Sequence, residues 1–66
     1  MVKVRFSASG YGQKTESYRT REKAVKAIED DAAEVAAEHC GEVECYGDEW
    51  VAQTAGGEEI ARWEIL

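Results

Sequence analysis

At 66 residues the chain makes one domain near the lower limit for unaided folding, and its 44% apolar share excludes wholesale disorder. A net charge of −6 argues against an anionic membrane surface as target. No apolar run approaches the roughly 18–20 residues of a bilayer span and no signal-peptide pattern opens the chain, so it reads as cytosolic.

Met1 to Phe6 alternates apolar and basic residues, the period of a half-buried strand with Val2, Val4 and Phe6 inward and Lys3 and Arg5 outward. The small residues and glycines of Ser7 to Gly12 predict a loop, and a weaker strand over Gln13 to Tyr18 closes a hairpin. Thr20 is placed to cap a helix that runs without Pro or Gly to about Cys40, with Gly41 as its C′ residue. Ala24, Val25, Ile28, Ala32, Val35, Ala36 and His39 fall within one arc of roughly 120°, a single stripe suited to lie across a sheet.

Glu42 to Tyr46 and Glu49 to Thr54 flank Gly47-Asp48, a two-residue hairpin loop of type II′. Gly56-Gly57 turns the chain into a last strand over Glu59 to Ile65. With those turns Val43, Cys45, Trp50, Ala52, Ala61, Trp63 and Ile65 share the inner face, and Glu42, Glu44, Val51, Gln53, Arg62 and Glu64 the outer one. The predicted fold is α+β, a single domain of order ββαβββ with one long helix on a largely antiparallel sheet of four or five strands. Only one leucine is present, so Trp50, Trp63, Phe6 and one or two of the three tyrosines must fill much of a thin core.

Charge is segregated along this order. Residues 1–26 carry seven bases and two acids; residues 27–66 carry twelve acids and the single base Arg62. Segregated charge builds a directed field that selects partners. Asp30, Glu34 and Glu38 stand four residues apart on the exposed side of the helix, with Asp31 beside them. Like charges at that spacing each cost a few tenths of a kcal/mol. Acids near the helix C-terminus also oppose the helix dipole, as do Lys23 and Lys26 near its start. Glu42 and Glu44 add carboxylates on the outer face of the sheet. Rows of carboxylates a few ångströms apart imitate a nucleic-acid backbone, with its phosphate about every 3.4 Å of axis on each strand.

The rows Asp30-Asp31-x-x-Glu34-x-x-x-Glu38 and Glu42-x-Glu44, in so small and acidic a chain, resemble the phage-encoded DNA-mimic inhibitors, of which anti-CRISPR proteins are members. The resemblance is one of size and charge over the whole chain. It implies a non-enzymatic, stoichiometric blocker, in the host cytosol, that occupies a basic nucleic-acid-binding site of a partner complex. Asp30, Asp31, Glu34 and Glu38 would then carry recognition, with Glu42 and Glu44 secondary. Two alternatives come from the residues themselves. A generic interaction module or homo-oligomer could pair the basic and acidic parts of two copies. A small nucleic-acid binder could use Lys3, Arg5, Lys14, Arg19 and Arg21 with Tyr11 and Tyr18.

Catalysis and cofactors find little footing. His39 and Cys40 are adjacent on a helix and point about 100° apart, and no Ser-His-Asp set or phosphate loop is present. His39, Cys40 and Cys45 are three soft ligands where a structural zinc site needs four, so neither a metal nor another cofactor is expected. Two cysteines are also too few for a disulfide scaffold, and a bridge over so short a loop gains little chain entropy; both read as buried free thiols.

Overall fold

The computed structural model describes residues 1–66 and contains five strands and one helix: β1 (Val2–Ala8), β2 (Gly12–Tyr18), α1 (Arg21–Glu38), β3 (Glu42–Cys45), β4 (Glu49–Gln53) and β5 (Glu59–Ile65). The strands form one sheet of order β2-β1-β5-β4-β3, every neighbouring pair antiparallel. The shortest dimension is 18 Å, the depth of one sheet and one helix layer. This is the α+β fold read from the sequence.

Alternation in β1 puts Val4 in the core and keeps Lys3 and Arg5 outside, as expected. The strand runs two residues further than predicted, because Ala8 still pairs with Gly12 and only Ser9-Gly10-Tyr11 turn. Tyr11 N–H donates to the Ala8 carbonyl at 3.1 Å, and Gly10 at the turn's third position has φ +84°, the sign a type II turn requires. At the second hairpin Cys45 pairs with Trp50 and Tyr46 N–H donates to the Glu49 carbonyl at 2.7 Å. That leaves Gly47-Asp48 as the loop, with φ +73° at Gly47, consistent with type II′.

Thr20 caps α1: its hydroxyl accepts from Lys23 N–H at 3.2 Å. Ala24, Ile28, Ala32 and Ala36 are buried, the first three of them in one cluster with Val4, Trp50, Ala52, Ala61 and Trp63 of the sheet. Three of those four helix residues are alanines, so the helix lies close to the sheet and the two tryptophans fill the layer between.

The helix ends differently from the expectation. His39 is the C-cap and is exposed, so it leaves the apolar stripe. Cys40, not Gly41, takes the left-handed C′ conformation, with φ +52°. Gly41 N–H donates to the Ala36 carbonyl at 2.8 Å and Cys40 N–H to the Ala37 carbonyl at 3.3 Å, the two bonds of a Schellman motif. Gly41 is required for another reason: a Cβ there would lie 1.7 Å from the Gln53 carbonyl oxygen. The chain can enter β3 beside the end of β4 only where no side chain intervenes.

Three further expectations change. Cys40 and Cys45 are free but exposed, not buried. Val43 and Cys45 do hold the inner register, yet all four residues of the edge strand β3 are exposed. Val51 holds the outer register yet is only 5% exposed. Its cross-strand neighbours are Glu44 and Arg62, whose long side chains shelter it. The β4–β5 register also slips after Ala52, where Gln53 pairs with Glu59 and Ile60 is left over as a bulge.

Candidate interaction surface

The fold engages most of the cations with nearby acids. On the outer face Arg5 of β1 binds Glu64 of β5. Arg62 reaches Glu59 at 2.6 Å and Glu49 at 3.5 Å. Those carboxylates, Glu59 first, hold the Arg62 guanidinium above its ordinary range. Glu49 and Glu64 stand opposite each other in the ladder, a like-charge pair made tolerable by the two arginines. Elsewhere Arg21 binds Asp48 at the β3–β4 turn, Lys26 approaches Asp30 at 3.6 Å, and Lys14 approaches Glu16 at 3.0 Å. Lys14 and the Tyr18 hydroxyl, which donates to Glu16 at 2.9 Å, hold that carboxyl below the usual range. Burial, with Glu16 behind it, pushes the Tyr18 hydroxyl up.

Eight carboxylates have no cation partner: Glu22, Glu29, Asp31, Glu34 and Glu38 on α1, Glu42 and Glu44 on β3, and Glu58 just before β5. Asp31, Glu34 and Glu38 are exposed. Asp30, grouped with them by spacing, is half-engaged by Lys26. Glu42 and Glu44 lie on β3, paired in register with Gln53 and Val51, so they occupy the outer face of the sheet. Glu44 accepts a hydrogen bond from the Tyr46 hydroxyl, which that contact pushes above its ordinary range. The sheet therefore separates the six carboxylates predicted from the sequence into two groups, Asp30 to Glu38 on the helix and Glu42 with Glu44 on the far side.

The helix group has a setting that sequence reasoning missed. Asp31, Glu34 and Glu38 line a groove between α1 and the β1–β2 hairpin, floored by Phe6, Val35 and Trp63. It widens past Tyr11, His39 and Ile60 to a cavity of about 790 Å³. Phe6 and Trp63 stack at 5.2 Å, tilted by 50°, and Lys14 stands 5.5 Å from the centre of the Phe6 ring. Lys14 is the one cation lining this groove. The signal for it lies in β2 itself. Gly12, Lys14 and Glu16 occupy the inward register opposite Ala8, Phe6 and Val4, so the helix cannot cover that strand.

Of the five cations named for nucleic-acid binding, Arg5, Lys14 and Arg21 are engaged with acids, leaving Lys3 and Arg19 without an acid partner. No three His, Cys, Asp or Glu side chains converge in a way that could hold a metal ion. The helix is not long and apolar enough to cross a membrane. No family model, curated protein or solved structure matches the chain.

Proposed function

We propose that this is a non-enzymatic binding protein whose helix row Asp31, Glu34 and Glu38, with Asp30 at its margin, docks on a basic nucleic-acid-binding site of a partner protein. It would act there as an inhibitor or adaptor, in the manner of the DNA-mimic inhibitors. The observation that carries this reading is selective neutralisation. Arg5, Lys14 and Arg62 of the strands all pair with acids of the sheet, while the three helix carboxylates beside the groove have no partner. Successive members rise about 4.5 and 6 Å along the helix, a spacing comparable to that of phosphates. Glu42 and Glu44 face the other way and would reach a partner only if it wrapped around the β3 edge.

Affinity capture from a bacterial lysate tests the reading. The wild-type chain is expected to retain basic, nucleic-acid-binding proteins, and added DNA should release them. Glu34→Lys with Glu38→Lys should weaken capture at least about tenfold, and physiological salt should weaken it steeply. Capture that survives the double reversal, or that DNA fails to compete, removes the helix row from consideration.

A further inference from the structure

We infer that β2 is a homodimerisation edge: two copies pair antiparallel through this strand, centred on Thr15, to make one continuous ten-stranded sheet. Nothing in it depends on the acidic-helix reading.

The backbone fixes which groups are free. Leu66 N–H donates to the Lys3 carbonyl at 2.9 Å and Ser9 N–H to the Ile60 carbonyl at 3.1 Å, so the odd-numbered residues of β1 bond β5. Its even-numbered residues therefore bond β2, through the pairs Val2–Tyr18, Val4–Glu16, Phe6–Lys14 and Ala8–Gly12. Gln13, Thr15 and Ser17 are left with N–H and C=O directed outward along the open edge. The strand is seven residues long, lies at the sheet edge and has neither proline nor bulge; the charges that do blunt it, Lys14 and Glu16 in the inward register, are of opposite sign and so admit a strand that pairs them.

Two-fold symmetry requires some residue to face its own copy. Centring on Lys14 sets Lys14 against Lys14 of the second copy, and centring on Glu16 sets two carboxylates together. Centring on Thr15 resolves both conflicts. Thr15 then exchanges two backbone hydrogen bonds with its copy, and Gln13 with Ser17 of the second copy does the same on each side, adding a further pair at either end. In that register Lys14 stands opposite Glu16 of the second copy, twice over, extending the 3.0 Å pair already present within each chain. Tyr11, 89% exposed, comes opposite Arg19 of the second copy, a cation with no acid partner in its own chain. The same seam would carry both helices on one side of the joined sheet, with their acidic rims facing across a shared trough.

The other edge is a poorer candidate. β3 has four residues, two of them outward-facing glutamates, against the seven of β2.

Sedimentation equilibrium across concentration is the test. The wild-type chain is expected to move from the mass of one chain toward that of two by about 1 mM. Thr15→Pro removes an edge N–H without touching the β1 ladder, and should shift the dissociation constant upward at least about tenfold. Lys14→Glu alone should weaken the dimer roughly tenfold, and Lys14→Glu with Glu16→Lys should restore it to within about threefold. Circular dichroism confirms that each variant keeps its fold. A single-chain mass throughout overturns the proposal and leaves the edge to a foreign strand. A dimer indifferent to Thr15→Pro, or a charge swap that fails to rescue, overturns it equally.

Discussion

Replacing Glu38 by lysine should make the protein more stable while making it a worse binder. Glu38 is the last residue of α1; the first turn has Glu22 but the last turn has no base. It stands four residues after Glu34 and neither has a cation partner. Removing the like-charge pair relieves about 0.2–0.5 kcal/mol, and the new pair of Glu34 with the introduced lysine, acid on the N-terminal side, adds a similar amount. A cation in the last turn adds about 0.3–1 kcal/mol through the helix dipole. The sum is about 1 kcal/mol, which for a domain this small corresponds to a rise of roughly 4–8 °C in Tm. Thermal unfolding by circular dichroism at low salt reads the stability, and the lysate capture reads the binding. A Glu38→Lys protein that melts lower than wild type would show that the carboxylate has a stabilising partner, and would refute the claim that this row is kept against the helix's own preference.

Two changes at the helix end separate the roles of adjacent residues. Cys40→Gly should stabilise by about 1 kcal/mol, because φ +52° costs an L side chain and not glycine, whereas Gly41→Ala should cost at least about 3 kcal/mol, since its Cβ would meet the Gln53 carbonyl at 1.7 Å. Urea unfolding measures both, and equal effects would disprove the Schellman assignment. At Glu16 the folded carboxyl titrates below its ordinary value of 4.5, held by Lys14 and Tyr18. Its contribution is therefore complete above about pH 4.5 and lost as pH falls through the folded value. Glu16→Gln should flatten that part of the acid limb slightly, the site being open to solvent, and an unchanged limb would deny the Lys14 contact any role in stability.

The architecture is legible in the sequence because several local signals agree. Alternation in β1, the Thr20 cap, the alanine stripe and the Gly47-Asp48 turn each point to one element, and none competes with another. Burial is harder to read, because it depends on which strands the helix lies over. The helix buries Trp50, Ala52, Ala61, Trp63 and Val4 of β4, β5 and β1, while inward-facing Cys45 and Val43 stay exposed on one edge strand and Lys14 and Glu16 on the other. Val51 departs in the opposite direction, since its shelter comes from ladder neighbours with long side chains. Sequence spacing places the left-handed cap one residue late. A glycine beside a helix end suggests that conformation, and the sequence alone does not reveal that a carbonyl from β4 claims the space first.

The charge asymmetry along the chain has two fates in space. Hairpin β1–β2 and the helix start bring Arg5, Lys14 and Arg21 to acids that lie 59, 2 and 27 residues away in sequence, so much of the front cation surplus is consumed in closing the sheet and fastening its turns. The acids of the helix lie beyond that reach. The cations nearest to them are Lys26, which takes Asp30, and Lys14, which is held over Phe6 and beside Glu16. A random scatter of fourteen acids would leave its unpaired members dispersed. Eight of the fourteen have no cation partner; five of those are dispersed, and the other three, Asp31, Glu34 and Glu38, follow one another along a single helix flank above an aromatic floor, at a place where helix energetics favours lysine. Local preference is overridden there without a visible structural return, and such a conflict is where selection for a partner is expected to leave its mark.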